Sequence, residues 1–172
     1  MKSISLSLNL SKTAVLLDII SLLFVYCLPT LSHWLSYPLY YFEPMRIALF
    51  TSIFIFPDRR NAYFLAITLP LFSFLVSGHP VAIKNVIMAV ELIANIFFLF
   101  YLSNKIKNSF VVCLLSILIS KLLYYGLKYV AIFCGLLTRS IVDTPILVQS
   151  LVAVVLSVIF VLNIKNRHLY GK

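Results

Sequence analysis

Glu43, Arg46, Lys84, Glu91, Lys121 and Lys128 are side chains able to do chemistry in stretches that are otherwise hydrocarbon. Glu43 and Arg46 are three apart and can pair on one helix face. Lys84 and Glu91 are seven apart, and Asn95 follows Glu91 by four, so a helix would align all three in one stripe. Lys121 and Lys128 repeat the spacing of seven, with Tyr124 and Tyr125 between them. An ionisable group at membrane depth costs about 2.5–3.5 kcal/mol or more, so it faces a partner or a cavity and marks function by default. Three helices carrying these residues predict a cavity with Arg46, Lys84, Lys121 and Lys128 set against Glu43 and Glu91. Its lining is net positive and suits a small anionic or zwitterionic solute.

Each of these groups also has a structural reading. Arg46, Lys84 and Lys128 lie where a long side chain can reach headgroups along its own stem. Glu91 can pair with Lys121 as a bridge between spans. Asp18, one or two turns into the first apolar run, can meet Lys121 or sit near the inner interface. His79 stands in a Gly78-His79-Pro80 turn, where the imidazole suits an interface as well as a ligand.

The elements that must position these residues follow from composition. The chain has 172 residues, 62% of them apolar and only 11% charged. Soluble domains run at about 45–50% apolar and about 25% charged. So small a chain cannot hide that much apolar surface in one water-facing core. A soluble enzyme, a disordered tail and a disulfide-stapled secreted domain are thereby excluded. The expected fold is all-α: a polytopic membrane protein forming one domain over residues 1–172. Its six spans cover about 13–31, 44–56, 62–77, 81–102, 109–137 and 145–164. The first run lacks a small-x-small cleavage site and reads as a retained helix. Span two is short and is expected to tilt or to sit among its neighbours. The long end of span five is expected to bend or lie at the interface.

Charge fixes the orientation. Lys2, Lys12, Arg59, Arg60, Lys105, Lys107, Lys165, Arg167 and Lys172 all fall on one side of this topology. Only Arg46, Lys84 and Arg139 fall on the other. Basic loops stay cytoplasmic, so both termini are expected inside, in a bacterial cytoplasmic membrane. The net charge of +9 is thus read as membrane topology, and no nucleic-acid partner is expected.

Enzyme signatures are missing. There is no His-Glu-x-x-His, no Gly-x-Ser-x-Gly and no P-loop. No adjacent glutamate pair occurs, and five acids scattered over six spans cannot supply an Asp-rich metal motif. Cys27, Cys113 and Cys134 form no Cys-x-x-Cys and read as packing residues. Neither catalysis, nor a metal, nor a cofactor is expected. Transport energy, if it is needed, must come from a partner or an ion gradient.

A basic six-span chain of this size, with a long aromatic first outer loop, resembles the substrate-binding S component of energy-coupling-factor transporters. The stretch Glu43 to Leu102, with Gly78-His79-Pro80 followed by Lys84, Glu91 and Asn95, is similar to the middle region of such proteins. The resemblance implies a high-affinity binder of a vitamin or micronutrient in the outer half of the membrane. It also implies docking on a transmembrane coupling subunit with two ATPases, and closure by the first outer loop and the loops around His79 and Arg139. The family's Ala-x-x-x-Ala docking motif is not on span one, where Ala14 is followed by Asp18; Ala62 and Ala66 on span three carry that spacing. On this reading Glu91 and Lys84 hold the solute's polar groups. Asn95, Arg46, Glu43, His79 and Lys128 stand beside them, and Trp34, Tyr40 and Tyr41 stack on the solute or close the site. The contrasting expectation is a membrane scaffold of the rod-shape-determining type, which works through protein contacts and predicts a dry, packed interior.

Overall fold

A computed structural model of the protein describes residues 12–56, 58–77, 81–137, 141–142 and 144–164. Among these residues the chain is all-helical. Six α-helices follow in order: α1 (Lys12–Trp34), α2 (Pro44–Ile55), α3 (Arg59–Ser77), α4 (Ala82–Ser103), α5 (Ser109–Phe133) and α6 (Ile146–Ile164), with a short 3-10 turn at Leu39–Phe42. Three are long and apolar enough to cross a membrane, over Ala14–Trp34, Ala82–Ser103 and Ser109–Phe133. Pro44–Ile55 and Ile146–Leu162 are apolar but shorter.

Local chemistry sets the helix ends. Pro44 occupies the first turn of α2, where its missing N–H costs nothing. Asp58 Oδ1 accepts the Arg60 N–H at 3.0 Å, so α3 starts three residues before the expected Ala62. Asn108 caps α5 by accepting from Phe110 N at 3.0 Å and Val111 N at 3.4 Å. The expected fifth span reaches residue 137 with a bent or interfacial end; α5 stops at Phe133, and Gly135 takes φ +71° in the turn that follows. Gly135 N then donates to Ile132 O and Leu136 N to Ala131 O, both at 2.9 Å, which closes a Schellman motif. In the other direction α1 runs past Pro29 to Trp34, so Trp34 ends a helix and is not part of the expected loop.

The helices pack around a main apolar core to which all six contribute, including Val25, Leu49, Leu65, Ile96, Val112 and Leu156, with a smaller cluster at Ile87, Ala131 and Leu137. α4 lies between α3 and α5, α5 also packs on α6, and α2 touches α1, α3 and α6. The outer faces stay apolar: Leu23, Phe64, Leu75, Leu122, Leu147 and Leu151 are all exposed. Such large hydrophobic area all round is unfavourable in water and suits lipid.

Candidate functional site

The N-terminal end of α2 brings the first pair into place. Glu43 sits between the 3-10 turn and α2 in the left-handed conformation, φ 53°. Its N–H donates to Tyr40 O at 3.2 Å, and its carbonyl accepts from Arg46 N at 2.9 Å and Ile47 N at 3.1 Å. A non-glycine residue in that region costs on the order of 1–3 kcal/mol, so surrounding contacts must hold it.

Those contacts are ionic. The Arg46 guanidinium bridges two carboxylates, one nitrogen donating to Glu43 Oε2 and the other to Glu91 Oε1. The Lys121 ammonium pairs with Glu43 Oε1 and lies 3.4 Å from Glu91 Oε1. The four side chains close a ring across α2, α4 and α5, with two cations and two carboxylates. Arg46 is 2% exposed and Glu91 7%. Charges so far from water persist only because each is paired more than once.

The ring forms part of the wall of a cavity of about 870 Å³. Drug-sized ligands occupy pockets of roughly 300–1,000 Å³, so the space is large enough for a small solute. Lys84 from α4 and Lys128 from α5 line it as well, with Tyr40, Tyr124 and Tyr125. Among the described lining residues four cations face two carboxylates. Lys128 is 1% exposed and donates to Ile141 O at 2.9 Å. Tyr124 sits with Lys121 Nζ 5.7 Å and Lys128 Nζ 6.0 Å from its ring centroid, within or near cation–π range. The segment leading into α6 is tied down by Gln149, which accepts from Tyr125 Oη at 2.8 Å and donates to Thr144 O at 3.0 Å. Val142 and Thr144 of that segment line the cavity too.

The structure therefore brings together six of the expected site residues, Tyr40, Glu43, Arg46, Lys84, Glu91 and Lys128, around one space. Three others stand apart from that lining. Asn95 is fully buried one turn beyond Glu91 and donates to Ser120 Oγ at 3.2 Å, tying α4 to α5. Tyr41 packs edge-on against Tyr37 and Tyr40. Trp34 is 80% exposed at the end of α1. His79 lies outside the described residues, as do Arg139 and Asp143.

Asp18 does not meet Lys121. Asn61 Nδ2 donates to Asp18 Oδ1 at 3.0 Å and lies 3.4 Å from Ser52 Oγ, which makes a second buried cluster joining α1, α2 and α3. Sequence spacing did not reveal Asn61, because its partners lie on other helices and nothing in its own neighbourhood is periodic. The Gln149–Thr144–Tyr125 tie was missed for the same reason; the one signal for it was a glutamine inside an apolar span.

Comparison of the chain with protein-family models, with curated proteins and with solved structures finds no match in any of the three.

Proposed function

We propose that this chain is a six-span membrane subunit, with both termini in the cytoplasm, that binds a small polar or anionic solute from outside for uptake. It would sit in a bacterial cytoplasmic membrane. It would draw energy from a separate coupling subunit and its ATPases, because the chain has no nucleotide-binding loop of its own. The observation that carries this reading is the 870 Å³ cavity walled by Arg46, Lys84, Glu91, Lys121 and Lys128 within an otherwise apolar bundle. A scaffold has no use for such a space, and charged walls without an occupant are expensive at membrane depth. The distribution of Lys and Arg over the loops supports the orientation, which places the cavity end of α2, α4 and α5 outside.

The test is purification from the native host in a gentle detergent, followed by mass spectrometry of the proteins and small molecules recovered. A bound metabolite, with or without ATPase subunits, is the expected result. Cell-wall or shape proteins and no small molecule would replace this reading with the scaffold. In parallel, Glu91→Ala should abolish solute binding while the protein still inserts in the membrane; unchanged affinity would remove the ring from the site.

A further inference from the structure

We propose that the cavity's occupant is an amphiphilic organic acid, with one carboxylate-type head on a mainly apolar body. The proposal rests on the binding reading above and narrows it.

The walls of the cavity divide by chemistry. On the α4–α5 side stand Lys84, Lys121 and Lys128, with Arg46 reaching across from α2. Both carboxylates of this region, Glu43 and Glu91, are already bound by Arg46 and Lys121. A cationic solute would have to displace a guanidinium that is 2% exposed, and would then meet the remaining ammonium groups. An anion needs no such displacement. It gains from the cationic excess, which stays at four to three even if Asp143, beside Val142 and Thr144 in sequence, is counted with the two described carboxylates.

The other side is different. Val25, Leu28 and Pro29 of α1, with Pro44 and Met45 of α2, offer no side-chain donor or acceptor. Ser32 next to them accepts the Leu39 N–H at 3.2 Å and keeps its own hydroxyl proton, a single donor on this wall. A sugar-like solute would leave most of its hydroxyls unpaired there, a penalty that an apolar body avoids. The head therefore belongs with the cations of α4 and α5 and the body along α1, beside Pro44 and Met45.

The experiment uses the full chain in phosphatidylcholine nanodiscs and reads the thermal unfolding midpoint against four probes. Phenylpropanoate has both features. Its primary amide and phenylpropylamine keep the body and change the head. Gluconate keeps the head and makes the body polar. Phenylpropanoate should raise the midpoint in a saturable way and the other three should not. Lys84→Gln, which alters only a half-buried wall residue, should weaken the phenylpropanoate response about tenfold. Equal stabilisation by the amide or the amine would overturn the anionic head, and equal stabilisation by gluconate the apolar body; either result leaves the binding reading in place. If none of the four acts, the proposal fails. The solutes co-purified from the host then decide the wider reading: a solute of another class keeps it, and none at all rejects it. Phosphatidylglycerol discs that raise the midpoint and cancel the phenylpropanoate response would make the occupant a membrane lipid, which also overturns the proposal.

Discussion

Arg46 and Ser52 stand on the same 12-residue helix, α2, yet each belongs to a different buried polar cluster. They are separated by about 9 Å along the axis, from a rise of about 1.5 Å per residue. Around Arg46 four charged side chains close a ring and still leave a large cavity beside them, with Lys84 and Lys128 on its further walls. Around Ser52 the polar groups are short. Asn61 and Asp18 contact one another directly, and none of the three lines the cavity. The first cluster is a charge-balanced ring with further cations, Lys84 and Lys128, and open space next to it. The second spends its polar groups on tying α1, α2 and α3 together. Burial alone does not separate them, since Asn61 is 3% exposed and Arg46 2%. The cavity and the surplus of cations do.

Four substitutions test that contrast. The largest effect is expected at Arg46→Met, which leaves Glu43 and Glu91 with a single shared cation. Breaking a buried pair in this way costs about 3–5 kcal/mol. Equilibrium unfolding in mixed micelles should show that loss together with loss of solute binding; a stable Arg46→Met protein that still binds would show that the ring is not what holds the site. Next comes Asn61→Leu. It removes an Asn61 Oδ1 that has no partner among the described residues, but it also strips the buried Asp18 carboxyl of its donor, and that larger loss should cost about 1–3 kcal/mol of stability. Solute affinity, measured by titration on the surviving folded fraction, should stay unchanged. A parallel fall in affinity would mean that the two clusters are one unit.

A smaller effect is expected at Asn95→Leu. The substitution loses the bond to Ser120, but it also removes a buried Asn95 Oδ1 that has no partner among the described residues. The two changes offset, and the net should stay within about 1 kcal/mol. A double-mutant cycle with Ser120→Ala isolates the pair. The least effect belongs to Trp34→Ala, because an 80% exposed side chain outside the cavity lining has little to lose. Any clear drop in solute affinity there would extend the site to the end of α1.

Much of the first cluster was legible along the chain. The Glu43/Arg46 spacing of three and the Lys84/Glu91 spacing of seven survive folding because a helix fixes neighbours at those intervals. Both pairs now face one space. The same logic fails for Asn95. Four residues past Glu91 it continues the stripe, but along a helix that distance already leads below the cavity and into the α4–α5 contact. Aromatic density misled in another way: Tyr40 reaches the cavity, while Tyr41 turns to its neighbours and Trp34 to the surface. A loop's composition says where aromatic rings are favoured and not which way each one points.

The sequence by itself determined that this chain is helical, apolar on its outer faces and carries a short list of charges within otherwise apolar stretches. Composition, period and end-capping groups such as Pro44, Asn108 and Gly135 are local properties, and they act without knowledge of distant partners. Tertiary structure decided which charges share a partner. Glu91 could pair with Lys121 or bind a solute, and the reach of Arg46 from α2 and of Lys121 from α5 made it shared between the two. It also decided that Asp18 belongs with Asn61, and that the cavity lies beside one cluster while none of the other's residues lines it. Those outcomes depend on helix crossings and side-chain reach between residues tens of positions apart, where a distance of one or two ångströms separates an ion pair from none.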